Sequence, residues 1–255
     1  MSALSQSIKR ILTSTILRKI VHVIFSLILL TPFTQVYRRI ALLIWPTNPD
    51  PTLLSLTVLL FGAAILNSLQ IRLPDLREKF LRASADARRK IRESLEVNAR
   101  GKPYTELFEG ILTSIAKYEE KFLEFISTVE RDYELRYGYI CITFGVLSVT
   151  MSYVLFGFST IYGILALAVV DSVSSIATMY TKGRRKIVKH SDVSVVTTFT
   201  FFTFLSYLVS QDILKAVVIS AVAVAVELVS PEDNLTLPIS TSLTAYVLSA
   251  KVPMI

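Results

Sequence analysis

The sequence predicts an all-α integral membrane protein with about seven transmembrane helices and a cytoplasmic helical-hairpin insert. Of its 255 residues, 52% are hydrophobic and only 18% are charged, whereas soluble domains carry about 25% charged residues. The apolar residues are gathered into runs of about 17 to 22, the length that crosses a bilayer as a helix. These runs are continuous and do not alternate apolar with polar residues, which argues against transmembrane strands.

Seven apolar segments are candidates for spanning helices, and they are 11–33, 51–71, 137–157, 159–179, 193–210, 213–230 and 237–254. The first contains three ionisable residues, Arg18, Lys19 and His22, and the last is short. The segment 38–46 is too short to span. We expect it to lie at the membrane interface, with Trp45 as an anchor.

The distribution of cations predicts the orientation of these helices. With seven spans, one side holds the N-terminal segment, the insert 72–136 and the loops 180–192 and 231–236, and it carries 23 of the 27 Lys and Arg residues. The other four are Arg38, Arg39, Lys215 and Lys251. Because cytoplasmic loops are enriched in Lys and Arg, we predict a multi-pass protein of the cell membrane whose N-terminus and insert face the cytoplasm.

The insert has the pattern of a helical hairpin. Apolar residues recur at helical spacing on both sides of the breaker at 101–103. They are Leu76, Phe80, Ala87, Ile91 and Leu95 before it, and Tyr104, Phe108, Ile111, Ile115, Tyr118, Phe122, Phe125, Val129 and Tyr133 after it. Such a stripe needs a partner, and we expect the antiparallel arm to supply it. The hairpin is interpreted as a structural spacer, a homodimer surface or a lid over an active site.

The chain therefore divides into three predicted regions. The first two transmembrane helices occupy 1–71, the helical hairpin occupies 72–136, and a membrane domain of five helices occupies 137–255. The single cysteine, Cys141, lies inside an apolar run and excludes an internal disulfide.

Polar residues inside or beside the membrane segments are candidate functional residues, because ionisable groups are costly to bury there. Helix direction brings them to the cytoplasmic end of the helices: Arg18, His22, Asp171, the stretch 182–189, Glu227, Asp233 and Asn234. Carboxylates beside a basic loop suit a Mg²⁺–polyphosphate complex, in which Asp and Glu hold the metal and Arg and Lys neutralise the phosphates.

Each feature taken singly has a simpler interpretation. A basic loop near a membrane marks topology or contacts anionic lipid. The stretch "PEDN" is by itself an ordinary turn, and we expect His190 to be solvated. The convergence of four separate elements on one side favours a functional site.

The order of these motifs resembles the CTP-dependent lipid kinases, the family of dolichol kinase, phytol kinase and a CTP-using diacylglycerol kinase. In that family an Arg-Lys pair followed by His marks the first helix, and Arg18, Lys19 and His22 match it. A "GDxxAS" element ends a middle helix in the family. Here "VDSVSS" is similar, with Asp171 and Ser175 at the matching positions.

The remaining family motifs follow in the same order. A basic Gly-Arg stretch is matched by Gly183, Arg184, Arg185 and Lys186. An element "K-S/T-x-E-G-S" is matched by Lys189, Asp192 and Ser194. The last motif, a Glu several residues before "DNLT-x-P", is matched by Glu227 and by "DNLTLP" at 233–238. Val170 and Val193 stand where the family has glycines.

The resemblance implies a kinase that moves a phosphoryl group from CTP to a long-chain isoprenoid alcohol, dolichol or another polyprenol, with Mg²⁺ as the metal. It implies catalytic carboxylates at Asp171, Asp233 and Asp192, the first two as metal ligands. The implied nucleotide-binding residues are Gly183, Arg184, Arg185, Lys186, Lys189 and Asn234. The implied supporting residues are Arg18, Lys19, His22, Ser175 and Glu227, and we expect Glu227 to orient a basic residue such as Arg18.

Two alternatives remain open. A phosphatidate cytidylyltransferase-like CDP-lipid synthase is related to these kinases, but the sequence has no "DRxD"-like ending. A non-enzymatic transporter or scaffold is the other alternative. Transporters place ionisable residues near the middle of the membrane and break helices there, whereas here such residues lie near one face. The predicted partners are a nucleoside triphosphate, a lipid alcohol and the membrane, with no nucleic acid.

Overall fold

Helices make up nearly all of the regular structure. The computed structural model describes residues 3–44, 46, 50–72, 76–98, 104–129, 140–181 and 186–252. Within them the helices are α1 (Ala3–Leu30), α2 (Gln35–Ile44), α3 (Pro51–Arg72), α4 (Leu76–Asn98), α5 (Tyr104–Val129), α6 (Ile140–Phe156), α7 (Thr160–Tyr180), α8 (Asp192–Ser210), α9 (Ile213–Val229) and α10 (Asp233–Val247). Two short strands, β1 (Lys186–Ile187) and β2 (His190–Ser191), form an antiparallel hairpin between α7 and α8.

Four helical stretches of the described chain are long and apolar enough to cross a membrane: Ser14–Phe33, Pro51–Arg72, Ile140–Tyr180 and Asp192–Ser210. The third has 41 residues, about twice the length that one span needs. A 3-10 turn at Gly157–Ser159 separates α6 from α7 within it. The predicted class, an all-helical membrane protein, is therefore confirmed, while seven spans stay a prediction.

The chain forms two compact units. One contains residues 1–65 and 139–255, and the other contains residues 66–138. This differs from the predicted three-part division, because α1, α2 and most of α3 belong to the same unit as the C-terminal helices. Long-range apolar packing, which sequence spacing does not reveal, joins them: Leu29 and Leu56 lie in one buried cluster with Val149 and Ile164.

Helix α7 is the central helix of the first unit and packs against α1, α8 and α10. Its Tyr162 and Leu167 are at most 1% exposed. By contrast, α3 leaves Phe61 and Ile65 more than half exposed. An apolar surface of this kind on a long helix suits contact with lipid, because hydrocarbon tails replace the protein neighbours that such side chains would need in water.

A glycine and a proline set the close packing of α7 on α10. A Cβ atom at Gly163 would overlap the Pro238 carbonyl oxygen and Ser242 Oγ. Pro238 has no N–H, so the Asn234 carbonyl loses its usual donor four residues later in the helix. Ser148 of α6 supplies a donor in its place: its Oγ lies 2.8 Å from the Asn234 oxygen and 2.9 Å from the Gly145 oxygen, so one proton serves both carbonyls. The start of α10 is therefore held by both α6 and α7.

Helix α10 begins earlier than predicted. The sequence analysis predicted a loop over 231–236 and a helix over 237–254, but the helix runs Asp233–Val247. The prediction was wrong because the apolar run marks only the membrane-like part of a helix. The first turn is polar here, and a carboxylate such as Asp233 is favourable beside the free N–H groups at a helix N-terminus.

In the second unit, α4 and α5 form the predicted helical hairpin, and polar side chains join them. Arg88 and Ser84 of α4 both donate to Glu119 of α5. Arg92 Nε lies 3.1 and 3.0 Å from the two carboxylate oxygens of Glu109. The order of these partners along the chain shows that the two helices are antiparallel.

The predicted packing of the two apolar stripes on each other is wrong. Phe80 of α4 is 63% exposed, and Phe108, Ile115 and Phe122 of α5 are 42% to 61% exposed. The contact between the arms uses a different side of α5, the one that carries Glu109 and Glu119. Helical periodicity identified the apolar face correctly but did not show which face meets the other arm.

Candidate functional site

Three carboxylates from three helices meet at one end of the first unit. Asp171 lies in the last three turns of α7, Glu227 lies two residues before the end of α9, and Asp233 starts α10. One oxygen of each carboxylate lies within 4.8 Å of the corresponding oxygens of the other two. Glu227 is only 2% exposed. Like charges at this separation repel each other strongly where bulk water does not screen them, so the cluster needs cationic partners.

Helix α1 supplies basic partners for Asp171. Lys19 Nζ lies 2.6 Å from Asp171 Oδ1, and His22 Nε2 lies 3.7 Å from Asp171 Oδ2. His22 Nε2 is also 2.9 Å from the Leu167 carbonyl oxygen, which fixes the orientation of the ring. Lys19 and His22 lie three residues apart and so share a face of the helix. The structure therefore brings together these predicted residues of the first and middle helices.

Glu227 is held by His190 and not by Arg18 as predicted. His190 Nε2 lies 2.6 Å from Glu227 Oε1, and Ser174 Oγ donates to the same oxygen at 3.2 Å. Thr178 Oγ1 lies 2.9 Å from His190 Nδ1, so both ring nitrogens have partners. The expectation that His190 is solvated is also wrong: it is 8% exposed, because β2 packs back onto α7.

The strand hairpin ties this region to the end of α9. Val188, in the turn between the strands, has φ +55°, a left-handed conformation that is costly for a β-branched residue. The next residue, Lys189, donates through Nζ to the Glu227 carbonyl at 3.2 Å and to the Ser230 carbonyl. A cation at the C-terminus of a helix is favourable, because it meets free carbonyls and the negative end of the dipole.

Three other predicted residues stand next to residues described above or begin a helix. Asp192 is the first residue of α8, and its Oδ1 accepts a hydrogen bond from the following N–H at 2.7 Å. Asn234 is buried, and its Nδ2 donates to Glu232 Oε1 at 3.2 Å. Ser175 is half-buried, and the serine before it makes the contact with the cluster. Neither Asp192 nor Ser175 belongs to the group of three carboxylates.

Among the remaining basic candidates, the structure describes side-chain contacts for Arg18 but not for the residues of the basic stretch. Arg18 donates to the carbonyl and the hydroxyl of Ser14, one turn earlier in α1, at 3.3 and 3.2 Å. Gly183, Arg184 and Arg185 lie outside the described residues, and only the backbone of Lys186, in β1, is described.

Sequence reasoning missed the hydroxyl groups that organise the site. Ser174 and Thr178 lie three and seven residues after Asp171, and so on the same face of α7. Ser148 lies on a different helix. Serine and threonine in apolar helices commonly bond across helix interfaces. The spacing from Asp171 is therefore a signal that could have identified the first two, whereas nothing in the sequence links Ser148 to α10.

The cluster suits a hard divalent cation. Mg²⁺ takes oxygen ligands and is usually held by one or two carboxylates together with substrate phosphates. Asp171 and Asp233 are partly exposed, and Glu227 offers a third, more enclosed oxygen. Carboxylate oxygens are the ligands that such an ion prefers, and the cluster offers one from each of three residues. The residues present therefore fit such an ion.

Comparisons with known proteins identify no similar protein. No protein-family model, curated protein or solved structure matches this chain. The site is therefore defined by its own geometry, which is a group of three carboxylates at one end of apolar helices, with Lys19, His22 and His190 in contact with it.

Proposed function

We propose that this protein is a lipid kinase that transfers a phosphoryl group from CTP to the hydroxyl of a long-chain isoprenoid alcohol. The observation that carries the proposal is the meeting of Asp171, Glu227 and Asp233 at one end of α7, α9 and α10. Helix α7 belongs to a stretch that is long and apolar enough to cross a membrane. A site at this position suits a water-soluble nucleotide on one side and a lipid head group on the other. The motif resemblance supplies the choice of CTP and of dolichol or another polyprenol.

In this proposal Asp171 and Asp233 hold Mg²⁺. When bound, the ion neutralises charge on the phosphoryl oxygens. Lys19 holds Asp171 in place through its 2.6 Å contact. His190 and Ser174 fix Glu227 in the same way. Positioning and charge neutralisation dominate phosphoryl transfer, so this pre-arranged cluster supplies what the reaction needs most.

The reaction breaks the bond between the γ-phosphorus and the bridging oxygen, and CDP leaves. The lipid hydroxyl oxygen forms the new bond to phosphorus and gives its proton to a carboxylate, for which Asp171, Asp233 and Asp192 are the candidates. The basic stretch 183–186 and Lys189 bind phosphates. Lys189 has three N–H donors, and two are used by the end of α9. Within the part of the chain that the structure describes, one donor is left for a phosphate oxygen.

The proposal includes seven spans in the cell membrane with the site facing the cytoplasm, where CTP is available. The 41-residue stretch Ile140–Tyr180 supports two spans, because a turn divides it near its middle. Helices α9 and α10 have 17 and 15 residues. They would supply the last two spans.

The test is a transfer assay on purified protein. With Mg²⁺, γ-labelled CTP and a polyprenol, we expect labelled polyprenyl phosphate and CDP. Asp233→Asn keeps the shape but removes a charge, so kcat should fall by about 10²–10³. The matched control is Asp212→Asn. Asp212 caps the other end of α9, with Oδ1 3.0 Å from the Leu214 nitrogen, and Asn also caps helices well.

The products separate the proposal from its alternatives. Pyrophosphate together with a CDP-lipid would identify a cytidylyltransferase-like synthase. If no nucleotide supports any transfer, the remaining alternative is a non-enzymatic transporter or scaffold. Wild-type turnover in a folded Asp233→Asn protein would remove that carboxylate from the site.

A further inference from the structure

Helix α5 carries an apolar stripe that is open to solvent. Six side chains form this stripe, here called the α5 stripe: Phe108, Ile111, Ile115, Tyr118, Phe122 and Phe125. Their exposed fractions lie between 37% and 73%. Contiguous exposed apolar surface of this kind marks interaction sites.

The spacing of the α5 stripe indicates a helical partner. Its members are separated alternately by three and four residues, which is the a and d pattern of a heptad repeat. The sequence continues the same pattern to Tyr104 and Val129. A 3.5-residue repeat keeps a stripe facing a second helix that coils around it. A flat surface such as a bilayer requires no such repeat.

Helix α4 is not that partner. It contacts α5 through Glu109 and Glu119, which pair with Arg92 and Arg88. In the heptad these glutamates occupy the b and e positions, to one side of the stripe. Leu112, another e position, is 6% exposed. The α5 stripe is therefore left for a partner outside the hairpin.

The charges of α5 favour protein over lipid as that partner. Between Tyr104 and Val129 there are five Glu and two Lys residues, whereas a helix that lies on anionic lipid typically carries Lys and Arg on its polar face. Two of the five Glu residues are neutralised by arginines of α4. The remaining charges nearly balance, and none occupies an a or d position, so two copies of α5 can approach without strong repulsion.

We infer that the α5 stripe is a dimer interface and that its occupant is the α5 stripe of a second copy of this chain. Aromatic side chains bury about 150–250 Å² each. Four stripe residues are aromatic and about half exposed, so they supply roughly 300–500 Å² per copy, and Ile111 and Ile115 bring the total to roughly 500 Å². The pair then buries about 1,000 Å², the lower bound for a biological interface. The inference does not depend on kinase activity.

The surface beside the stripe fits knobs from a second helix. Leu107, Gly110 and Ser114 lie beside the α5 stripe and, with Ile111, Ile115 and Tyr118, form a shallow open surface on α5. Apart from its chain neighbours and the nearby backbone of α5, nothing lies within 4 Å of the position that a Cβ atom at Gly110 would occupy. Small residues beside an apolar seam leave the holes into which partner side chains insert.

The first experiment measures oligomeric state in the full-length protein in detergent, by native mass spectrometry across a concentration series. Wild type should dimerise. Ile115→Glu should raise the dimer dissociation constant at least about tenfold, because it places a charge at the centre of the seam. The matched control is Thr113→Glu, on the opposite face of the same helix, and it should leave the constant unchanged. A wild-type protein that stays monomeric at micromolar concentration would overturn the inference, as would equal effects of the two substitutions.

The second experiment keeps the inference testable if Ile115→Glu does not fold. In a Cys141→Ser background, Ile115→Cys should form disulfide-linked dimers under mild oxidation, and Thr113→Cys should not. Absence of the cross-link at position 115 would overturn the inference. A fluorophore on the Ile115→Cys protein in nanodiscs should also resist quenching by nitroxide lipids. Strong quenching would show that the stripe lies on the bilayer instead.

Discussion

Ser148 is expected to stabilise the start of α10 through one hydrogen bond. Its Oγ lies 2.8 Å from the Asn234 carbonyl oxygen, which Pro238 leaves without a helical donor, and 2.9 Å from the Gly145 carbonyl oxygen of its own helix, so two acceptors share its one proton. Ser148 is fully buried and Asn234 is 8% exposed. Ser148→Ala therefore leaves a buried acceptor unpaired, at a cost of about 1–3 kcal/mol. For a protein of this size, 1 kcal/mol lowers Tm by about 2–4 °C, so Tm should fall by several degrees.

A double-mutant cycle with Pro238→Ala tests this reasoning. The new backbone N–H at position 238 can donate to the Asn234 carbonyl, so Ser148→Ala should cost at least about 1 kcal/mol less in that background. Ser152→Ala is the matched control. Ser152 is buried on the same helix, and its Oγ has no partner among the described residues. Thermal unfolding in detergent, followed by circular dichroism, measures each variant. An equal cost of Ser148→Ala in both backgrounds would refute the reasoning.

Two further predictions concern packing and pH. Gly163→Ala should destabilise by about 1–3 kcal/mol, because its Cβ would overlap the Pro238 carbonyl, whereas Gly62→Ala, with open space around it, should be neutral or stabilising in the same unfolding assay. In the hairpin, the hydrogen bond from Ser84 lowers the pKa of Glu119. The ionised Glu119 should therefore stabilise the contact between α4 and α5. This stabilisation should be complete above the ordinary glutamate pKa of about 4.3 and should be lost as pH falls through the lowered pKa. The distance between spin labels on α4 and α5, measured as a function of pH, reports the loss of this contact. Glu119→Gln should remove the pH dependence of that distance.

Much of the candidate site followed from helix direction. Once apolar runs place helices in a membrane, residues near the ends of alternate helices must lie on the same side. The convergence of Asp171 and Glu227 with the basic residues of the first helix was predictable for this reason. Lys19 and His22 also share a helix face by spacing alone. Helix direction also placed the stretch 182–189 at this end, but it does not show which residues beside a loop turn inward. His190 was therefore expected to be solvated, although it is buried against Glu227.

The amino-acid sequence alone establishes the class of the protein, an all-helical membrane protein, because run length and composition decide whether a segment tolerates hydrocarbon. It also indicates which face of α5 is apolar. Only the tertiary structure decided which faces meet: that His190 holds Glu227, that Ser148 supports the start of α10, and that the α5 stripe is not covered by α4. The physical reason is that periodicity is a property of one helix, whereas pairing depends on side chains contributed by segments far away in the chain.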